Sequence, residues 1–356
     1  MVKSALVRII KALTEKELRQ VKQVIEKEKK EVKALFQFLI ENLNAGNIVL
    51  AKEQAFATIF PGMAYDDAKI RQVMHRLLIP IKSVLLNQQI EKRSMLNQLL
   101  LSQVLREKGL WDLAIKELEV AKNLNENQEE RTAGYRYFSF LILRELQENL
   151  AQQDHRSEME FQNSYSYLVH AFISGILRTA CYIHNHQNLF KKSYELPFLD
   201  AILKEVGQNE ELKGYAPIGI YFYIYRALTD ENDINAFLQF KRLLASASKT
   251  FSSSELKEIY QNAINYCTQK INHGHNEMIP VIMDFYETGL DLKIFREGNT
   301  IPNNIYRDIV QYGLKNNKAE WVKAFMDHHK PILHPAYREV TFYNAPQILD
   351  SKNGKR

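Results

Sequence analysis

The chain has 356 residues, 46% of them hydrophobic and 25% charged, the balance of a folded globular protein. Its 13 glycines and 9 prolines make up about 6% of the residues against roughly 12% in average usage. That scarcity excludes collagen-like and low-complexity classes and argues against hairpin-rich sandwiches and barrels. The formal net charge is +5, and residues 1–33 alone hold ten Lys/Arg against five acids, so residues 34–356 sum to zero. The body therefore offers a polyanion no global attraction.

In chain order, the segment MVKSALVRIIKALTEKE is predicted as a short amphipathic helix. Arg8 and Lys11 interrupt its apolar stretch and no small-residue cleavage site follows, which argues against a signal peptide; a helix lying on a membrane surface is the alternative. Thr14 with Glu17 has the spacing of a capping box. Next, Lys22, Lys27, Lys29, Lys30 and Lys33 crowd one stretch and form the candidate polyanion-binding group. Glu26, Glu28 and Glu31 are interleaved with them at spacings such as Glu26 to Lys30, which predict a solvated, ion-paired helix. Breaks are expected at Asn44-Ala45-Gly46 and Pro61-Gly62, with starts at Asp66 and Ser94. Pro80 is expected to kink or split the helix around it.

Residues 95–128 follow part of a 34-residue tetratricopeptide pattern. Leu101-Ser102 takes the Leu-Gly place, and Ala114, Leu118 and Ala121 supply the small–large–small stripe of a second helix. Tyr135-Arg136-Tyr137-Phe138 reads as a wall of the core. Glycine stops are expected at Gly109, Gly207, Gly214, Gly274, Gly298 and Gly313. The run 218–225 has strand propensity, yet Pro217 before it suits a first helical turn, so a buried helix is predicted. Ser252 with Glu255 repeats the capping-box spacing. Leu256, Ile259, Tyr260, Ala263, Cys267 and Ile271 then mark one buried helix face. The prediction is an all-α chain, an α-solenoid of TPR-like antiparallel helix pairs without significant β-sheet. A large irregular helical bundle is the alternative. The expected divisions are an N-terminal helical region (1–92), a repeat array (93–345) and a disordered tail (346–356).

Several phrases occur together in order: Phe60-Pro61-Gly62 before Tyr65-Asp66-Asp67, the run Ile264–Gly274, Asp308-Ile309-Val310 with Gly313-Leu314, and Glu320–Phe325. Tyr337-Arg338-Glu339 and Tyr343-Asn344-Ala345 complete the set. The chain resembles a family of bacterial tetratricopeptide-like helical proteins over most of residues 14–345. The resemblance implies a helical-repeat fold and a bacterial cytoplasmic origin, and it brings no activity or site residues with it. Members usually continue as helix past Tyr-Asn-Ala, whereas here Pro346 follows Ala345. A shortened member with an uncapped, self-associating C-terminal end is therefore expected.

Chemistry-bearing patterns are few. Cys181 and Cys267 form neither a disulfide framework nor a zinc spacing and read as buried thiols of a reducing compartment. In Cys181-Tyr-Ile-His184-Asn-His186 the two histidines point about 160° apart on a helix, so no metal is expected there. His273, His275, His328 and His329 read as helix-end residues. Cys267 with His273 or His275 as base is dismissed because the thiol lies on an apolar stripe. Asp66-Asp67, Glu129-Glu130 and Glu210-Glu211 read as solvated pairs. No catalytic residue, cofactor or transmembrane segment is expected. The predicted function is a non-enzymatic scaffold that binds an unknown protein's peptide or helix. The alternative is a regulator touching DNA or RNA through the basic N-terminal segment.

Overall fold

A computed structural model describes residues 4–45, 51–92, 94–153, 160–230, 232–298, 300–329 and 333. Among these the chain is all-helical, with isolated bridges at Glu297–Thr300 and Ile301–Leu333 in place of any strand. The residues group into two compact units, 1–124 and 125–356.

The first unit holds α1 (Ala5–Ala12), α2 (Glu15–Ile25), α3 (Lys30–Asn44), α4 (Lys52–Ile59), α5 (Asp67–Lys92), α6 (Ser94–Glu107) and most of α7 (Trp111–Glu126). Thr14 and Glu17 form the reciprocal box that starts α2, and Asp66 accepts the Lys69 N–H at 3.0 Å to start α5. Helices α1 to α4 all pack on α5. The apolar face of α1 (Leu6, Val7, Ile10) is buried with Leu35, Leu39, Phe56 and Leu77. The core thus takes up that face, which leaves it nothing to lay on a lipid surface. Pro80 does not split α5, which runs unbroken through it. The proline is itself buried beside Leu77 and Ile81, so apolar packing holds the helix against the roughly 3 kcal/mol of a mid-helix proline. At 95–128, α6 and α7 form the expected helix–turn–helix, with Gly109 at φ 73° in the turn. Ser102, Ala114, Leu118 and Ala121 are fully buried.

The second unit holds α8 (Ala133–Gln153), α9 (Phe161–Phe190), α10 (Leu199–Gln208), α11 (Glu210–Gly214), α12 (Ala216–Thr229), α13 (Ile234–Ala247), α14 (Ser253–Asn272), α15 (Met278–Asp291), α16 (Asn303–Lys315) and α17 (Ala319–His329). Most neighbours in sequence pack on each other, as α8 on α9, α12 on α13 and α14 on α15, while α12 also lies against α9 and α14. One apolar core runs through this unit from Ile173 to Leu333. Residues 218–225 are helical as predicted, within α12, with Ile218, Ile220, Tyr221, Phe222 and Ile224 buried. Gly313 is no stop. It lies inside α16, where a Cβ would meet Val322 Cγ2 at 2.5 Å, so it is the glycine that lets α17 approach. Gly46, the phrases at 337–339 and 343–345, Pro346, the 346–356 tail and the uncapped C-terminal end lie outside the described residues.

Candidate functional site

Helix α9 is the longest among the described residues, and Arg178 is its only Asp, Glu, Lys or Arg in 30 residues. Here the two sides differ. The inner face buries Ser164, His170, Ile173, Ser174, Leu177, Ala180 and Cys181. The outer face carries Phe161, Tyr165, Leu168, Phe172, Gly175, Thr179, Tyr182, His186 and Leu189, in strictly alternating steps of four and three. That is the spacing of a helix-pairing seam, yet Phe161, Tyr165, Phe172, Tyr182 and Leu189 are all more than half exposed.

The inner face is unusually polar. The His170 ring stacks on Tyr215 with centroids 5.1 Å apart, and the Arg136 guanidinium of α8 lies over Tyr215 and Tyr167 at 4.8 and 5.0 Å. Burial, then the nearby Arg136 charge, hold His170 below the ordinary imidazole pKa. His170 Nδ1, Ser174 Oγ and Arg136 Nε are buried without a hydrogen-bond partner among the described residues. Further along, Arg178 pairs with Glu258 at 2.7 Å and stands 3.8 Å from Glu255. Tyr221 donates its hydroxyl to Glu255 at 3.0 Å. Burial raises the Glu255 carboxyl above its ordinary value against the pull of Arg178. The capping box expected at Ser252 is thus only half made. Ser252 Oγ accepts the Glu255 N–H at 3.3 Å, but the carboxylate turns into the core toward stronger partners.

Two grooves flank the outer face. One, of about 440 Å³, has Gly175, Ile176 and Thr179 on α9, with Phe172 beside them and Leu196-Pro197 opposite. The other, of about 490 Å³, runs between the C-terminal half of α9 and α14, along Asn185, Asn188, Leu189 and Phe190 on one side and Asn265, Thr268 and Gln269 on the other. Asn185 and Asn265 of its lining belong to a relay of carboxamides. Asn185 donates to Asn262 at 2.5 Å and accepts from Asn265 at 3.0 Å, while Gln261 donates to Asn265 at 3.1 Å. Each amide is thereby fixed in one orientation by its neighbours.

The residues singled out in the sequence fall elsewhere. The basic stretch is not one helix: α2 ends at Ile25 and α3 begins at Lys30, so the lysines gather at a corner. Lys22, Lys27, Lys29 and Lys30 are exposed, and Lys33 reaches Glu26 at 3.9 Å, a pairing across the turn in place of Glu26 to Lys30. Cys181 and Cys267 are both fully buried. Burial pushes the Cys267 thiol up to about 12, and His275 pairs with Glu277 at 2.9 Å. His184 lies 3.0 Å from Asn188, and His186 lies 3.2 Å from the Tyr194 hydroxyl. Asp67 does more than cap: it binds Lys52 at 2.8 Å and Arg71 at 2.6 Å. The expected core wall at 135–138 is not one, since Tyr137 is exposed and Tyr135, Arg136 and Phe138 are only half-buried. Among the described residues no three His, Cys, Asp or Glu side chains form a metal-holding group, and no helix is long and apolar enough to cross a membrane.

Sequence reasoning missed both grooves and the outer stripe of α9. The signal was present in the heptad spacing and the single charge, but it is masked by the inner stripe, whose residues alternate with the outer ones along the same helix. Comparison with family models, curated proteins and solved structures finds no match to this chain.

Proposed function

We propose that this protein is a non-enzymatic interaction scaffold, a TPR-like array of helix pairs that holds a peptide segment of a partner protein in the amide-lined groove between α9 and α14. The observation that carries this reading is the set of amides along that groove, Asn185, Asn188, Asn265 and Gln269, of which Asn185 and Asn265 are held by hydrogen bonds to each other and to Asn262 and Gln261. A carboxamide both donates and accepts, as a peptide unit does, so a row of amides fixed in orientation matches an extended backbone without selecting its sequence. Leu189 and Phe190, both well exposed on the rim, provide apolar seats for the partner's side chains.

Chemistry at this site is disfavoured on physical grounds. The two thiols are buried and shifted toward the protonated, inert form. The buried carboxylate Glu255 is already engaged by Tyr221. The groove itself offers amides, hydroxyls, aromatic rings and one imidazole, His186, which lies 3.2 Å from the Tyr194 hydroxyl and has no thiol or carboxylate beside it in the lining. The helix-pair array is supported by the packing of sequence neighbours on one another and by the α6–α7 hairpin.

The test is a selection of displayed random peptides on the full chain, followed by anisotropy titration of one selected, labelled peptide. Leu189→Ala combined with Gln269→Ala is expected to weaken binding at least tenfold, about 1.4 kcal/mol, with the thermal midpoint unchanged. Equal binding by this double variant would reject the groove as the site.

A further inference from the structure

A second surface lies on the same helix, two turns before the amide groove. Gly175 sits in the middle of α9, where a glycine weakens the helix relative to alanine. Nothing in the protein's own fold calls for it: a Cβ at this position would meet no other side chain or neighbouring backbone within 4 Å. By contrast, a Cβ on Gly219 would meet the Lys213 carbonyl at 2.2 Å and one on Gly289 would meet Phe295 at 2.1 Å. Those glycines are required by internal neighbours, and Gly175 is not. With Thr179 it forms the floor of the 440 Å³ groove.

One turn before that floor stands Phe172, 55% exposed. Between Pro197 and Leu199, which line the groove, stands Phe198, 74% exposed and held at a φ of 69°, a left-handed backbone that a bulky residue adopts only under strain. Thus a protruding ring and an open hollow lie side by side on one face. We propose that this face pairs with a second copy of the chain about a two-fold axis passing beside Gly175, each Phe172 seated in the other copy's hollow over Gly175 and Thr179. A two-fold interface must be self-complementary, and a knob one turn from its hole satisfies that condition within a single helix.

The available area fits. Phe161, Tyr165, Leu168, Phe172 and Phe198 are between 39% and 74% exposed. At roughly 150–250 Å² for a whole large side chain, they offer on the order of 600 Å² of apolar surface. Specific interfaces bury about 600–1,000 Å² per partner, and the figure lies at the upper end of the largest apolar patch a typical monomer exposes, about 300–600 Å². On α9 itself nothing electrostatic opposes the pairing, because the helix carries no acid or lysine and its one arginine is bound to Glu258. The same two-fold brings Phe161 and Tyr165 of one copy opposite Leu189 and Asn185 of the other, so pairing and peptide binding would compete along α9, while Gln269 on α14 belongs to the peptide reading alone.

The experiment is sedimentation equilibrium of the full chain over a wide concentration range, with two variants and a cross-link. The wild type is expected to pass from 41.6 kDa to twice that mass. Gly175→Leu, which fills the hollow with room to spare in the monomer, and Phe172→Asp are each expected to raise the dissociation constant at least tenfold. Gly175→Cys is expected to give a disulfide-linked dimer under mild oxidation, while Lys16→Cys is not; the native thiols are buried and take no part. A wild type that stays at monomer mass, variants that associate as the wild type does, or a Gly175→Cys chain that fails to cross-link would each overturn the proposal. Retained thermal midpoints in dilute solution separate loss of pairing from loss of fold.

Discussion

On its inner side α9 buries His170 and Ser174 and brings Arg178 to Glu255. On its outer side the same helix leaves Phe161, Tyr165, Phe172 and Leu189 in solvent. Burial of polar groups is tolerated where they are paired, and exposure of rings is tolerated where something else covers them. The inner face meets the first condition at Glu255, through Tyr221 and Arg178, and only in part at His170. The difference teaches that one helix can serve folding with one stripe and recognition with another, and that substitutions on the two stripes belong to different experiments.

The largest separation is expected from leucine truncations. Leu177, fully buried on the inner stripe, is expected to lose about 2–5 kcal/mol of stability on change to alanine. Leu189→Ala on the outer stripe is expected to stay within about 0.5 kcal/mol. Urea midpoints of the two variants check this, and similar losses from both would erase the distinction.

A smaller effect is expected at the buried ion cluster. Glu255→Leu leaves the Tyr221 hydroxyl buried without its acceptor, at a loss of about 1–3 kcal/mol. Glu255→Gln keeps an acceptor in place and is expected to lie near the wild type. If the two variants unfold alike, the hydrogen bond from Tyr221 is not what holds α12 to α14.

Acid titration tests the other half of the inner face. His170 is held below its ordinary value of 6.5 in the folded chain, so the folded state stays neutral while the unfolded chain takes up a proton. This contribution is therefore complete above that pH and is lost as pH falls from about 6.5 toward the folded value. The urea midpoint of the wild type is expected to drop between about pH 7 and about pH 5.5, and His170→Phe is expected to flatten that part of the slope. An unchanged slope in the variant would place the titrating group elsewhere.

The smallest effect is expected at the basic corner. Changing Lys22, Lys27, Lys29, Lys30 and Lys33 together to glutamine is expected to move stability by no more than about 0.5 kcal/mol and to leave the anisotropy of a labelled DNA duplex unaltered. Steep salt-dependent binding by the wild type that the variant loses would instead favour the nucleic-acid reading.

Helix content was legible because its signals are local. The apolar stripe on α14, the box at Thr14 and Glu17, and Pro217 before the run 218–225 each act within a few residues. What was not legible depends on partners distant in the chain. Glu255 reads as a capping residue until Tyr221 and Arg178 arrive from α12 and α9. Arg136 looks like one member of an aromatic wall until Tyr167 and Tyr215 close over it. Gly313 looks like a stop until Val322 is seen to need its space. The amide relay joins Asn185 to residues 77 and 80 positions away, a juxtaposition no local pattern carries. The outer stripe of α9 was readable in principle, since its heptad steps and its lack of charge are both in the sequence.

The claim that the outer face of α9 serves recognition and not folding is tested most directly by equilibrium urea unfolding at very low protein concentration, where a second copy contributes nothing by mass action. In a variant carrying Phe161→Ser, Phe172→Ser and Leu189→Ser together, the account predicts a midpoint at or near that of the wild type. A loss of several kcal/mol, as expected for inner residues such as Leu177, would contradict it.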